Sequence, residues 1–398
     1  MTLWHSTNRR RILPLLCLMI AAAVCLGLYW LFVPSTAKLR SDCQLAAQAR
    51  EWKSLETIAR RWTRVDPNSG ESWLRLGESL FRQRKYQQAL ECYNSVPQSS
   101  PEAETAAISL MELQFGPLNR PTDGAITCQR ILELNPQSKV ARQRLIFFLA
   151  MTLQRTELVR QIRTAIKSES EPMEAFAYLF LVDSLMFSNG IESNARWLQG
   201  DPTSELFEVA QAIFVAETLD LSIAMDDLAA AQAARRDAAR KDAVLQKLGA
   251  KYPHNAELLA YSIQKMIELG DVTGVVNSLA RATEESEADA RFWRFKGWVH
   301  AQRSEMDEAE ASYRRAIQLN PLDWVTRHML ADVLQQAQRF DEVKALRELT
   351  VRGRTLRNAL RSAPNARGIS RELLLELADF SANCGDQQTS AALRKRIQ

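Results

Sequence analysis

Two stretches of this chain, more than 200 positions apart, carry the same residues at the same intervals. Upstream stand Trp73, Gly77, Ala89, Tyr93 and Pro101; downstream stand Trp293, Gly297, Ala309, Tyr313 and Pro321. In each, Trp and Gly lie one helical turn apart on a first amphipathic helix, and Ala and the aromatic residue share one face of a second. The small residues let the two helices approach closely, and the rings fill the space around the contact. The proline ends the unit, because it cannot continue the second helix. A chain that repeats such a unit grows by stacking helix pairs, not by enlarging one globular core.

The prolines keep the period. Pro67 and Pro101 are 34 residues apart, Pro101 and Pro136 are 35, and Pro253 and Pro321 are 68, two periods. The string LNP recurs before both Pro136 and Pro321. Helix pairs are therefore expected at Leu39–Ala49 with Glu51–Val65, Ser72–Gln83 with Tyr86–Val96, Glu102–Leu113 with Gly124–Leu134, and Val140–Gln154 with Glu157–Ser168. Gly116–Asp123 replaces a tight turn in the third pair. Further on, the pairs are Ala256–Leu269 with Thr273–Thr283, then Ala290–Pro321, then Trp324–Ala337 with Phe340–Arg352. A last pair, Ser370–Asn383 with Gln387–Arg396, follows the loop Ser362–Gly368. The middle is less regular. Met173–Phe187 and Ile191–Leu198 read as helices split by Ser188–Asn189–Gly190, and Glu205–Glu217 starts another. Ser222–Lys251, Ala-rich and charged, reads as one long helix or as two with a subtle turn.

The spacing Trp73, Leu76, Gly77, then Ala89, Tyr93 and Pro101 resembles the tetratricopeptide repeat family, whose period is about 34 residues. Lys296, His300 and Leu80 stand where that pattern carries Leu or an aromatic residue. The resemblance implies an all-α fold, a right-handed superhelical solenoid of helix hairpins. It also implies a concave groove, lined by the first helices, that holds a protein or peptide partner. The residues between the packing positions of those helices are the groove candidates: Arg75, Arg82, Arg144, Arg291, Arg294, Trp298, Gln302 and His328, with Glu78, Phe147 and Asp332 beside them. Trp298 next to Arg294 combines apolar area with a charged donor, the composition of a binding hot spot. Packing against a neighbouring unit is the other reading of Trp298.

The N-terminus differs in kind. Residues 1–11 end in Arg9, Arg10 and Arg11, and Ile12–Val33 runs 22 residues without a charge. At 1.5 Å per residue this is roughly 33 Å, enough to cross a hydrocarbon core of about 30 Å. Tyr29, Trp30 and Phe32 gather at its far end, as interfacial rings do. The expectation is a single transmembrane signal-anchor helix at 12–33 with 1–11 in the cytoplasm and the repeats on the non-cytoplasmic (periplasmic or extracellular) side. A signal peptide cleaved near Lys38 is the alternative. The expected segments beyond it are N-terminal repeats at 36–172, irregular helical repeats at 173–255, repeats at 256–355 and a capping helix pair at 370–398.

The net charge of +4 leaves the repeats close to neutral, because Arg9–Arg11 precede them, and nothing requires a nucleic acid as partner. Six cysteines make no C-x-x-C pair and read as buried thiols. His5, His254, His300 and His328 show no metal-ligand spacing, and there is no phosphate-binding loop, nucleophile elbow or dinucleotide turn. The sequence thus points to a non-enzymatic scaffold for protein–protein interaction, without a cofactor or metal. A secreted repeat protein, or an accessory subunit of an envelope-assembly or biosynthetic enzyme, is the other reading.

Overall fold

The computed structural model describes residues 35–185, 188–217, 228–363 and 368–397. All regular structure among them is helical. The chain divides into two compact units at Leu118.

The first unit holds α1 (Thr36–Gln48), α2 (Trp52–Val65), α3 (Gly70–Arg82), α4 (Tyr86–Asn94) and α5 (Ala103–Phe115). Neighbouring helices bury one stripe each. Leu55, Ala59 and Trp62 of α2, Leu76 and Leu80 of α3, Ala89 and Tyr93 of α4, and Leu110 of α5 form one continuous core. At 1.5–3 kcal/mol per buried large apolar side chain, that shared stripe is the main force holding each pair to the next.

The second unit contains α6 (Pro121–Leu134), α7 (Lys139–Met151), α8 (Arg155–Lys167), α9 (Met173–Phe180), α10 (Ser188–Gly200) and α11 (Glu205–Glu217). Then follow α12 (Leu228–Lys251), α13 (Ala256–Glu268), α14 (Val272–Leu279), α15 (Ala290–Gln302) and α16 (Met306–Leu319). The unit ends with α17 (Trp324–Gln336), α18 (Phe340–Ser362), α19 (Arg371–Asn383) and α20 (Gln387–Ile397).

One turn recurs between paired helices. Arg50, Arg84, Leu153, Gly270, Ser304, Gln338 and Gly385 all have φ between 50° and 84°, the left-handed region. In each case the next amide donates to the carbonyl five residues back: Glu51 to Ala46, Lys85 to Leu80, Gln154 to Leu149, Asp271 to Met266, Glu305 to His300, Arg339 to Leu334 and Asp386 to Ser381. That bond closes a Schellman cap and satisfies a carbonyl at the helix end. Only Gly270 and Gly385 use the residue type that adopts this conformation without steric cost.

The repeated small–aromatic pair works as the spacing implied. A Cβ on Gly297 would lie 2.7 Å from the Tyr313 ring, so these helices meet backbone against ring. The tryptophans have a further task. The Trp73 indole donates to the Pro67 carbonyl at 2.8 Å and Trp293 to the Glu287 carbonyl at 2.9 Å, tying each first helix to the turn before it.

Several expectations shift. The Ser188–Asn189–Gly190 turn is instead the first turn of α10, with Gly190 against the Phe214 ring. Met173–Phe187 is shortened to α9 and a 3-10 turn at Val182–Ser184. Leu228–Lys251 is one helix, and residues 218–227 lie outside the described part. The helix expected at Phe340–Arg352 runs on to Ser362, because Gly353, Leu356 and Leu360 continue its buried stripe; Gly353 meets Phe380 of α19. α6 begins at Pro121, which needs no amide partner in a first turn. The expected span Ile12–Val33 lies outside the described residues, and among those described no helix is long and apolar enough to cross a membrane.

The second unit also closes on itself. Arg163 on α8 pairs with Asp386 at 2.5 Å and donates to Thr389 Oγ1 at 2.7 Å. Arg396 near the C-terminus pairs with Glu171 at 3.0 Å, and Phe180 of α9 contacts Phe380 of α19. The last helix pair is therefore clasped to α8 and α9.

Candidate functional site

The groove candidates do not share one environment. In the first unit Arg75 is half-buried and pairs with Glu78 at 3.2 Å, while the exposed Arg82 stacks over the Trp52 ring at 5.5 Å. In the second unit Arg144, Gln302 and His328 are exposed. His328 Nε2 lies 3.9 Å from Asp332. Trp298 is half-buried and packs against the apolar cluster formed by α13, α14 and α15, next to Phe295 and Val299. Its indole therefore packs on the neighbouring pair while keeping an exposed edge.

Arg291 and Arg294 are the exceptions to a surface-donor reading. Both are buried, 6% and 7% exposed, and both are spent on carboxylates inside the unit. Their positions on α15 follow from local sequence. Asp289 caps that helix, accepting from the Arg291 amide at 2.9 Å, and Asp323 caps α17, accepting from Val325 and Thr326. Each capping carboxylate is then within reach of a guanidinium on α15. Arg291 Nη2 pairs with Asp289 at 2.7 Å and with Glu257 of α13. Glu257 also takes Arg155, the first residue of α8, at 3.0 Å. Arg294 Nη1 bridges Asp323 and Asp183 at 2.8 Å each. A small cavity of about 60 Å³, lined by Arg155, Asp183, Asp289 and Asn320 among others, lies between the two sets.

The electrostatics follow from that geometry. Burial disfavours the charge on Arg291, but Asp289 and Glu257 outweigh it and raise its pKa well above the ordinary value. Burial likewise opposes ionisation of Asp289, and Arg291 overcomes it, so this carboxyl sits below the usual range. Asp183 goes the other way: burial and then the like charge of Asp323 raise it, against the pull of Arg294. Its side chain keeps 23% exposure, so water screens part of that effect.

This network was not visible in the sequence beyond its two caps. Asp289 and Asp323 stand just before first helices, a readable signal; Asp183, Arg155 and Glu257 come from distant elements and carry no such mark. Among the described residues no group of His, Cys, Asp and Glu is arranged to hold a metal ion. Cys43, Cys92 and Cys128 are buried and Cys384 is half-buried; burial pushes the thiols of Cys43, Cys92 and Cys384 up to about 11, which disfavours the reactive thiolate.

Chemically, the arrangement offers exposed helix faces and an internal set of satisfied ion pairs. A solvent-open cavity of about 690 Å³ lies between the start of α8, the start of α11, the start of α13 and the turn before α15.

Comparisons with known proteins place the repeat unit. Residues 45–104 and 268–323 match the family profile described as tetratricopeptide repeat. No curated protein matches the chain. Among solved structures, the MamA protein aligns at 14% identity over 42% of this chain and 92% of its own, with a TM-score of 0.32. A tetratricopeptide repeat protein from Parabacteroides merdae aligns at 13% over 75% of this chain and 98% of its own, with a TM-score of 0.26. PilF of Pseudomonas aeruginosa aligns at 15% over 60% of this chain and 91% of its own, with a TM-score of 0.30. The two sequence matches contain the Gly77–Tyr93 and Gly297–Tyr313 contacts described above, and the chain carries tetratricopeptide repeats in these two segments.

Proposed function

We propose that this protein is a membrane-anchored scaffold whose helix-hairpin units bind a protein partner on the non-cytoplasmic side. The carrying observation is the repeated hairpin itself. Its apolar residues are consumed between helices, as with Leu76, Leu80 and Tyr93, which leaves the outward side chains for contact with another molecule. The anchor rests on the uncharged run Ile12–Val33 behind Arg9–Arg11. No catalytic role is assigned to any residue.

Membrane fractionation with N-terminal sequencing tests the anchor. The full-length chain is expected in the membrane fraction with its first residues intact, and a soluble product beginning near Lys38 would exclude it. Cross-linking in intact cells followed by mass spectrometry tests the scaffold role. Reproducible capture of one protein or a small set supports it, whereas recovery of the chain without any cross-linked protein argues against it.

A further inference from the structure

The 690 Å³ cavity of the second unit is within the volume range of built ligand sites. Its lining has two faces. One is apolar, with Leu206 and Val209 of α11. The other is acidic: Glu157, Glu205, Glu257, Glu285 and Asp289 line it, against the single guanidinium of Arg155. Arg155 and Arg291 already engage Glu257 and Asp289 at the floor. The rim carboxylates are served differently. Glu157 pairs with Arg160 outside the cavity, Glu205 accepts from Asn255 at 2.9 Å, and Glu285 is exposed. The mouth therefore keeps negative charge over an apolar wall.

A second observation points into the same space. Ser286 lines the cavity and is only 4% exposed, yet its Oγ has no hydrogen-bond partner among the described residues. Buried hydroxyls are normally satisfied. This oxygen is enclosed in the present arrangement, so a polar group entering the cavity would supply the missing bond once the side chain turns toward the opening.

We propose that this cavity docks a basic peptide segment of the protein partner. A Lys or Arg side chain fits both faces: its methylene stem lies along Leu206 and Val209, and its cationic head reaches the Glu205 and Glu285 carboxylates. This assignment rests on the scaffold reading above and names the chemistry of the partner.

The test uses the full chain in detergent and two fluorescein-labelled octapeptides, one alternating Lys with Leu and one alternating Glu with Leu, followed by anisotropy. The basic peptide is expected to bind and the acidic one not to bind. Glu205→Lys/Glu285→Lys is expected to weaken the basic peptide at least tenfold. Glu308→Lys/Glu376→Lys, exposed positions outside the cavity with the same change in net charge, is expected to leave affinity within twofold. Ala288→Trp, which fills the cavity from its exposed rim without altering charge, is expected to weaken binding as well; circular dichroism of each variant checks folding. No binding by the wild type, or equal losses in the two charge-reversed pairs, overturns the proposal. If a cross-linked cellular partner is captured equally by wild type and Glu205→Lys/Glu285→Lys, the scaffold reading stands and this docking site falls.

Discussion

The ring of Tyr93 presses on Gly77 so closely that a Cβ built there would stand 2.5 Å from its Cε1 carbon. The same relation, at 2.7 Å, joins Tyr313 to Gly297 in the downstream repeat. Both rings are buried, 4% and 2% exposed, so neither has room to retreat.

Gly77→Ala and Gly297→Ala are therefore expected to destabilise their units by about 1–3 kcal/mol, the usual cost of overpacking. Gly249, inside α12 with nothing within 4 Å of its would-be Cβ, serves as the contrast. Gly249→Ala should stabilise by about 0.5–1 kcal/mol through helix propensity alone. Urea denaturation followed by circular dichroism reads all three; a stabilised Gly77→Ala would refute the close-approach account.

The recurring hairpin turn gives a prediction of opposite sign at equivalent places. Gln338 holds φ 58° without being glycine, whereas Gly385 holds φ 84°. Gln338→Gly is expected to gain about 1 kcal/mol and Gly385→Ala to lose a similar amount, since a Cβ is what makes that conformation costly. Thermal melts of the two variants should move in opposite directions.

Arg291, itself buried, holds two half-buried carboxylates, Asp289 and Glu257. Arg291→Met leaves both without that guanidinium, and a loss of about 3–5 kcal/mol is expected. Arg291→Met/Asp289→Asn should recover part of it, because the Asp289 ion pair is with Arg291 whereas Glu257 keeps Arg155, and Asn can still cap α15. A double-mutant cycle by urea denaturation measures the coupling, and strictly additive losses would show that the pair does not interact.

Acid should weaken the first unit through Glu56. Burial raises its pKa, but hydrogen bonds from Lys85, Arg60 and Gln83 outweigh that and lower it from 4.5 to about 2. A carboxyl lowered in the folded state stabilises above its unfolded pKa, and the contribution is lost as pH falls through the folded one. The urea midpoint is thus expected to fall between about pH 4.5 and about pH 2. Glu56→Gln should flatten that slope while leaving the decline caused by other carboxylates, and an unchanged slope would contradict the assignment.

The helix pairs were legible because their signals are local. A Gly, an Ala and a ring at helical spacing need only the next helix as partner, and the prolines mark where each pair stops. The less regular middle followed other rules. Ser188–Asn189–Gly190 has the composition of a turn, yet Gly190 is needed in α10 to admit the Phe214 ring. Arg291 and Arg294 looked like groove donors because alternate faces of a first helix are usually open. Their acceptors Glu257 and Asp183 lie far away in sequence, so the burial could not be read from the helix itself. Trp298 shows the same limit: its neighbours on α13 and α14 decide how much of the indole remains outside.

The clasp between Arg163 and the Asp386–Thr389 turn has a bearing on biogenesis. In an array of local contacts each hairpin can settle as it leaves the ribosome. Here α8 must wait for residues more than 200 positions downstream before its outer edge is covered. A frameshift or stop codon costing only the last dozen residues removes Thr389 and Arg396, and would consequently be felt in the middle of the protein, where Arg163 and Glu171 lose those partners in a chain that is otherwise nearly complete.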